Sequence, residues 1–322
     1  MDMKRMAFIV GLSSLLVACG DKDDSIVPPP AGMQTISLAG AQTRASLNTV
    51  STTFGLYGTA TATLNGTSTV FNNQRVDYDS GSNAWVYSPL KYWDSGADHK
   101  FAAYAPYDAS RNLSFSAEGY PMVTNFRVQA SVDNQESLLL SSVVGRNVQA
   151  GGLDTSPVVF TFDPALVRIN FKIKRGEHVA GDLFLRTLRL YNLKSSGNCV
   201  QNGTRITWDT SSAPVNTSGY STAFQSDREV SPEGINVWQN GALMIPQPVS
   251  GMAVYLSYTH RPGGVTYSYD KSNIALPGAD WEPGKQITYV LTLNPENYVE
   301  FGEPIVEPWI DGSFGGGIII VN

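Results

Sequence analysis

Apolar and polar residues alternate in short runs along most of this chain. In residues 168–174, Arg-Ile-Asn-Phe-Lys-Ile-Lys, every second side chain is apolar. A period of two puts the apolar side chains on one face of a strand, which is typical of antiparallel sheets with one face buried. Comparable runs are separated by turn sequences such as Asn65-Gly66, Asn202-Gly203 and Pro283-Gly284. The pattern predicts an all-β protein. The predicted strands lie at residues 54–57, 67–71, 84–87, 100–104, 158–162, 168–173, 187–191, 204–208, 253–258, 265–269 and 287–293.

One apolar run at the N-terminus departs from this alternation. Lys4 and Arg5 precede apolar residues from position 7 to position 18, and the run ends in Leu-Val-Ala before Cys19. Such a run is too short to span a bilayer but has the length of a signal-peptide core. Small or apolar residues directly before a cysteine are typical of a bacterial lipoprotein cleavage site. We predict a signal peptide over residues 1–18 and lipidation of Cys19, whose acyl chains would anchor the chain in a membrane. The alternative is an ordinary secretory signal with an incidental cysteine.

The residues after Cys19 are polar, acidic and rich in proline. Asp21, Asp23 and Asp24 follow the cysteine, and three prolines occupy positions 28–30. This composition does not form a core, so residues 19–35 are predicted to be a lipidated flexible tether. The acidic patch is similar to the surface-export signal of Bacteroidota lipoproteins. That similarity implies an outer-membrane lipoprotein facing the cell surface, whereas a merely solvated tether is the alternative.

Charge and composition exclude several classes of function. The chain of 322 residues has a net charge of −6, so it lacks the basic face that nucleic-acid binding requires. With Cys19 lipidated, Cys199 has no partner for an intramolecular disulfide. His99, His178 and His260 are scattered, with no nucleophile or second ligand at motif spacing, and are predicted to be surface or turn residues. The sequence therefore predicts no catalytic residue, no metal site and no cofactor, and the protein is not expected to be an enzyme.

A glycine-rich stretch separates two halves of the chain. Residues 150–157 read Ala-Gly-Gly-Leu-Asp-Thr-Ser-Pro and offer little to pack. The segments on either side are each long enough for one β-sandwich. We therefore predict an N-terminal β-sandwich over residues 36–155 and a C-terminal β-sandwich over residues 156–322.

Six short motifs follow one another between residues 101 and 312. They are Phe-Ala-Ala-Tyr-Ala-Pro-Tyr at 101–107, Ser-Leu-Leu-Leu at 137–140, the strand at 160–169, Leu-Met-Ile-Pro-Gln at 243–247, the hairpin at 281–293 and Pro-Trp-Ile-Asp-Gly at 308–312. Their order and spacing resemble those of the fimbrillin-like family, the pilins of Bacteroidota, although Asp163 stands where that family usually has a histidine. The resemblance implies two tandem transthyretin-like antiparallel β-sandwich domains. It also implies a structural or accessory subunit of cell-surface fimbriae, which forms homo- or heteropolymers with other fimbrial subunits and supports adhesion to host or bacterial surface ligands.

The resemblance further implies assembly by strand exchange. In polymerising subunits of the family, a trypsin-like protease cuts after an arginine beyond the tether. Loss of the first strand then opens a groove that the C-terminal strand of another subunit fills. Arg44, followed by Ala45, stands where this proteolytic maturation would occur, after the strand-like residues Thr35-Ile36-Ser37-Leu38. In an unprocessed tip, anchor or accessory subunit, Arg44 would instead be a solvated loop charge.

The C-terminus offers a candidate donor strand. Three glycines at 315–317 precede four apolar residues, Ile318, Ile319, Ile320 and Val321. Because alternate residues face inward, only about two of the four would be buried, which contributes ~3–6 kcal/mol. A durable joint would therefore recruit residues 305–306 or 309–310 as well. Alternatively, the four residues close the C-terminal sheet of their own subunit.

A second hypothesis places the chain in another class, the surface glycan-binding lipoproteins of polysaccharide-uptake systems. Its support is the set of tryptophans at positions 85, 93, 208, 238, 281 and 309, which could stack against sugar rings. Most of these tryptophans are predicted to be core or sheet-end residues. A glycan binder should expose two or three of them in one plane.

Overall fold

The computed structural model describes residues 33–43, 52–295 and 298–309. Strands make up nearly all of the regular structure, and the only helices among the described residues are short 3-10 turns at Val132–Asn134 and Pro262–Gly264. The prediction of an all-β fold is confirmed. No helix of the described chain has the length and apolar character needed to cross a membrane.

The described chain contains 26 strands. The first thirteen are β1 (Leu38–Thr43), β2 (Thr53–Ala62), β3 (Gly66–Asp79), β4 (Ala84–Val86), β5 (Ala97–Ala105), β6 (Asn112–Phe115), β7 (Pro121–Arg127), β8 (Leu139–Ser141), β9 (Val144–Arg146), β10 (Val148–Gln149), β11 (Gly152–Leu153), β12 (Val158–Pro164) and β13 (Val167–Arg175). The others are β14 (Asp182–Tyr191), β15 (Leu193–Lys194), β16 (Ser196–Asn202), β17 (Arg205–Asp209), β18 (Val215–Asn216), β19 (Tyr220–Glu229), β20 (Ile235–Asn236), β21 (Ala242–Met244), β22 (Ala253–Arg261), β23 (Tyr267–Ala275), β24 (Lys285–Asn294), β25 (Tyr298–Phe301) and β26 (Ile305–Pro308).

Two of the sheets pack together to form what we call the first sandwich. One has eight strands in the order β1-β12-β8-β5-β2-β3-β4, with β9 also paired to β5. The other has four strands in the order β17-β16-β7-β6. Aromatic rings join the two sheets, since the rings of Tyr57 on β2 and Phe115 on β6 lie 5.3 Å apart. The indole N–H of Trp208 on β17 donates to the carbonyl of Ala165 at 2.7 Å, just beyond β12.

Two other sheets contain the strands of what we call the second sandwich. The larger has the order β20-β13-β24-β25, with β21 paired to β13 and β26 paired to β24, and the smaller has the order β19-β14-β22-β23. The alternation at residues 168–174 forms β13. There Ile169, Phe171 and Ile173 are fully buried, whereas Asn170 and Lys172 between them are partly exposed. The period of two therefore sets which face of β13 enters the core.

The sheets combine strands from both sides of the predicted boundary at residues 155–156. β12 lies within the eight-stranded sheet, between β1 and β8. The β16–β17 hairpin pairs with β7, where Gly197 stands opposite Phe126 and Val200 opposite Met122. Two short strand pairs, β10–β11 and β15–β18, complete the topology of the described residues. The division of the chain into two domains at residue 155 stays a prediction.

Candidate functional site

The first described strand forms one edge of the eight-stranded sheet. β1 runs parallel to β12, with Leu38 opposite Val158 and Thr43 opposite Phe162. Every other strand pair of this sheet is antiparallel. Because β1 is an edge strand, its loss would leave the main-chain groups of β12 without partners on that side.

The residues that precede β1 are bonded on their opposite side to a second piece of backbone. The amide of Ile36 donates to the carbonyl of Lys91 at 2.9 Å, and the amide of Trp93 donates to the carbonyl of Gln34 at 2.9 Å. The N-terminal strand therefore lies between β12 and residues 91–93. We call the space between these two backbones the N-terminal groove and the segment 34–43 its resident strand.

Alternate side chains of the resident strand point into the core. Ile36 is fully buried, Ser37 is exposed and Leu38 is 9% exposed. Ile36 and Leu38 belong to the same buried cluster as Phe54 and Phe160, whose rings are 5.7 Å apart. Burial of two large aliphatic side chains contributes about 3–6 kcal/mol to holding this strand in place. The resident strand therefore supplies the groove with main-chain hydrogen bonds and with buried apolar side chains.

Tyr87 adds a side-chain bond to the backbone of the resident strand. Its hydroxyl donates to the carbonyl of Ile36 at 2.6 Å, and its ring meets the ring of Phe71 edge-on at 5.2 Å. Phe71 in turn packs against Phe101 of β5 at 6.1 Å. Burial raises the pKa of Tyr87 to about 12, so the hydroxyl keeps its proton and remains a donor at neutral pH.

The residues predicted to be processed, lipidated or donated lie outside the described part of the chain. They are Cys19, Arg44, Ala45, Ile318, Ile319, Ile320 and Val321. Their roles stay predictions. The last described residue of β1 is Thr43, and Arg44 is the next residue in the sequence.

The last described residues belong to the second sandwich. β26 pairs with β24, and the side chains of Ile305 and Val306 are about half exposed. Trp309 is buried; its amide donates to the carbonyl of Gly284 at 2.8 Å, and the guanidinium of Arg168 lies 4.6 Å from its ring centroid. A donor strand that recruited Trp309 would have to remove this ring from its own subunit, so residues after 309 are the better donor candidates.

Two of the three histidines are buried, and the prediction of surface or turn positions was wrong for them. His99 is fully buried, with its ring 5.0 Å from the ring of Trp93. His260 is 3% exposed, and its Nε2 lies 2.6 Å from the carbonyl oxygen of Ala180. Strand alternation turns both side chains inward on β5 and β22. His178 is exposed, as predicted.

The described residues offer few side chains that could form a metal site or a reactive thiol. Nowhere among them do three or more His, Cys, Asp or Glu side chains lie close enough to hold a metal ion. Cys199 is buried, and this burial raises the pKa of its thiol to about 12, which suppresses the reactive thiolate. Four of the six tryptophans are buried, namely Trp93, Trp238, Trp281 and Trp309.

Sequence reasoning found the resident strand and missed the backbone that closes the groove. Tyr87 was predicted only as the end of a strand, and of residues 91–93 only Trp93 was named, as one of the six tryptophans. A tyrosine at 87 and a tryptophan at 93, on either side of Ser88-Pro89, were the only local signal. The bonds to Gln34 and Ile36 connect residues more than fifty positions apart, which local alternation does not report.

Fold and site together define an all-β protein of packed sheets. Its N-terminal strand pairs in parallel with β12 and, at its beginning, is bonded on the other side to residues 91–93. The profile of the fimbrillin-like family matches residues 43–309. The chain therefore belongs to the fimbrillin-like family, and the resemblance drawn from its motifs is confirmed. Membership makes it a fimbrial subunit of the cell surface, in a class of structural proteins that assemble with other fimbrial subunits.

Solved structures show the same fold. A fimbrial protein from Bacteroides vulgatus is 18% identical, with a TM-score of 0.61 over 85% of this chain and 99% of that one. Two candidate cell adhesion proteins have TM-scores of 0.50. The protein from Bacteroides ovatus is 17% identical, over 88% of this chain and 100% of its own; the protein from Parabacteroides distasonis is 10% identical, over 88% and 98%. No curated protein sequence matches this chain.

Proposed function

We propose that this fimbrial subunit assembles by exchange of its N-terminal strand after proteolysis at Arg44. The observation that supports this most directly is the position of the resident strand. It lies between two backbones, and its last described residue, Thr43, stands one residue before the proposed cut. A cut after Arg44 would detach the whole resident strand, and Ala45 would become the new N-terminus.

The emptied groove would bind another strand for physical reasons. Loss of the resident strand leaves the carbonyl of Lys91 and the amides of Trp93 and Val158 without their present partners. It also vacates the buried positions of Ile36 and Leu38. Unpaired edges and exposed apolar side chains favour addition of a strand from another chain.

The groove also sets requirements for the incoming strand. To reproduce the present bonds, it runs parallel to β12 and antiparallel to residues 91–93. It presents two large apolar side chains at alternate positions, as Ile36 and Leu38 do. We propose that the C-terminal segment of a second subunit meets these requirements, with either Ile318 and Ile320 or Ile319 and Val321 facing inward.

We also propose that the unprocessed chain is an outer-membrane lipoprotein anchored through Cys19. The signal sequence and the acidic residues that follow support this assignment. Replacement by Cys19→Ser should release the protein from the membrane fraction, because the acyl chains supply the anchor. Continued attachment of Cys19→Ser to membranes would contradict lipidation.

The glycan-binding hypothesis finds less support in the described residues. A stacking surface for sugars needs exposed aromatic rings, but the side chains of Trp93, Trp238, Trp281 and Trp309 are at most 5% exposed. These four tryptophans are core residues and do not provide such a surface. Strand exchange is therefore the function that the geometry supports best.

The processing step is tested by Arg44→Ala, with Arg75→Ala as the matched control. Arg75 is an exposed arginine on β3 that pairs with Asp77. The uncut strand has a high effective concentration in its own groove, so a donor from another subunit should not displace it. Arg44→Ala should thus abolish the detergent-resistant ladder of polymers on gels run without boiling, while Arg75→Ala keeps it. A ladder from Arg44→Ala would show that processing at this site is not the switch.

The donor step is tested by deleting residues 317–322. The shortened protein should still begin at Ala45 after processing, since the groove and the cut site are unchanged. It should form no ladder with itself, because no subunit supplies a strand. A full ladder from the shortened protein would rule out the C-terminal segment as the donor.

A further inference from the structure

The backbone that closes the groove opposite β12 is not a regular strand. Residues 87–93 connect β4 to β5, and only Tyr92 takes part in a β-bridge, with Thr35. Residues 88–90 are exposed, and the side chain of Leu90 is 43% exposed. We call residues 87–93 the closing segment. A segment with so little sheet pairing depends for its position on its ends, on the resident strand and on Gln74 of β3, whose side chain donates to the carbonyl of Ser88 at 2.9 Å.

Aromatic side chains fix both ends of the closing segment. Tyr87 packs on Phe71 at 5.2 Å. At the other end, Trp93 is 4% exposed and lies 5.0 Å from His99 and 5.7 Å from Phe101. The middle of the segment is bonded instead to residues 34–36 of the resident strand. Contact with that strand therefore helps to hold the middle in place, together with the bond from Gln74 to Ser88.

The hydroxyl of Tyr87 connects the closing segment to the resident strand at one point. It donates to the carbonyl of Ile36 at 2.6 Å and accepts from the amide of Lys91 at 3.4 Å. The carbonyl of Lys91 in turn accepts from the amide of Ile36 at 2.9 Å. The three residues thus form one small ring of hydrogen bonds. Since the phenol bonds only main-chain groups, any strand of the same direction and register would offer it the same partner.

We propose that Tyr87 is a positioning residue of the N-terminal groove, whose hydroxyl holds the main chain of the bound strand and slows its release. For the resident strand this concerns the intact chain alone. For a donor strand from another subunit it rests on the proposed strand exchange.

The first test uses the full, uncut chain and the variant Tyr87→Phe. Phenylalanine keeps the ring on Phe71 and removes only the hydroxyl, so the carbonyl of Ile36 loses a buried donor. Hydrogen exchange at the amide of Ile36, which donates to the carbonyl of Lys91, should become about tenfold faster, which corresponds to about 1.4 kcal/mol. Amides of β13 in the second sandwich should keep their wild-type rates.

Tyr78→Phe is the matched control for this exchange experiment. Tyr78 lies on β3, and its exposed hydroxyl donates to Asn83 without touching the resident strand. Its loss should leave exchange at Ile36 unchanged. The proposal is overturned if Tyr87→Phe leaves exchange at Ile36 unchanged. It is also overturned if β13 accelerates equally, since the hydroxyl would then support the whole fold rather than the groove.

The second test measures a bound strand directly. The probe is a fluorescein-labelled synthetic peptide of residues 33–43, added to protein that has been cut after Arg44 and freed of its own strand. Dissociation of the peptide should be about tenfold faster from Tyr87→Phe, with little change in association. If the cut wild-type protein binds no peptide, the proposed strand exchange is wrong. The hydrogen-exchange experiment would then still test the role of Tyr87 in the intact chain. Equal dissociation from both proteins overturns that role for an incoming strand.

Discussion

Ile36 provides the most quantitative test of the resident strand as a separate, detachable element. Its side chain is fully buried on a short strand that lies between β12 and residues 91–93. Replacement by Ile36→Ala removes three carbons from the core and leaves a cavity, which costs about 2–5 kcal/mol. The exposed neighbour Ser37 gives a matched control, because Ser37→Ala should change stability by less than about 0.5 kcal/mol.

The cost of Ile36→Ala should appear first in the strand itself. A loss of at least about 2 kcal/mol corresponds to about 30-fold faster hydrogen exchange at the amides of residues 34–38, if these open without the rest of the fold. Amides of β22 in the second sandwich should keep their wild-type rates. Urea titration should show a smaller shift of the main transition than a core mutation of this size would give.

Two outcomes would refute this reasoning about Ile36. If exchange at residues 34–38 did not change, the side chain would contribute nothing to retention of the strand. If exchange accelerated equally in β22, the strand would open only with the whole protein and would not be a detachable element. A further consequence can be read on gels: in the Arg44→Ala background, Ile36→Ala should restore part of the polymer ladder, because the uncut strand then leaves its groove more often.

Three predictions concern the rest of the fold. A Cβ at Gly55 would overlap the ring of Tyr104, so Gly55→Ala should lower the unfolding free energy by about 1–3 kcal/mol in urea titrations, whereas Gly151→Ala, with open space around it, should not. Burial lowers the pKa of His99 below its ordinary value of 6.5. As the pH falls below 6.5, the imidazole of His99 is protonated in the unfolded chain but remains neutral in the folded chain. The free energy of unfolding should therefore decrease between pH 7 and 5. His99→Gln should make this decrease smaller. The buried thiol of Cys199 should react with iodoacetamide at pH 8 only in denaturant; labelling of the native protein would contradict the burial argument.

The local alternation of the sequence predicted the strands well where one face is buried and the other is wet. Residues 168–174 form β13 with the expected inner face. Arg168 is the exception on the polar face, at 5% exposure, because the ring of Trp309 covers its guanidinium at 4.6 Å. The two residues are distant in sequence, so the pattern around β13 gives no indication of this cover.

For the same reason, the local sequence pattern did not predict which strands pair with each other. The β16–β17 hairpin follows the predicted boundary in sequence yet pairs with β7 of the first sandwich. The parallel pairing of β1 with β12 joins residues more than one hundred positions apart. Alternation specifies which side of a strand is apolar, whereas choice of partner depends on long-range packing.

The N-terminal groove shows what the local sequence pattern could predict and what it could not. The apolar residues at positions 36 and 38 indicated a strand near Arg44 from the sequence alone. The closing backbone at residues 91–93 and the hydroxyl of Tyr87 became visible only in three dimensions. Hydrogen bonds to main-chain groups leave no residue-type signature on the strand that receives them.

The central claim is that the resident strand is removed before the subunit enters a fimbria. N-terminal sequencing of this protein, recovered from fimbriae sheared off the cell surface, tests it most directly. We predict that the sequence begins at Ala45, since a cut after Arg44 detaches residues 34–43, which occupy the groove. A sequence that begins at the lipidated Cys19, in protein taken from within assembled fimbriae, would contradict strand exchange at this groove.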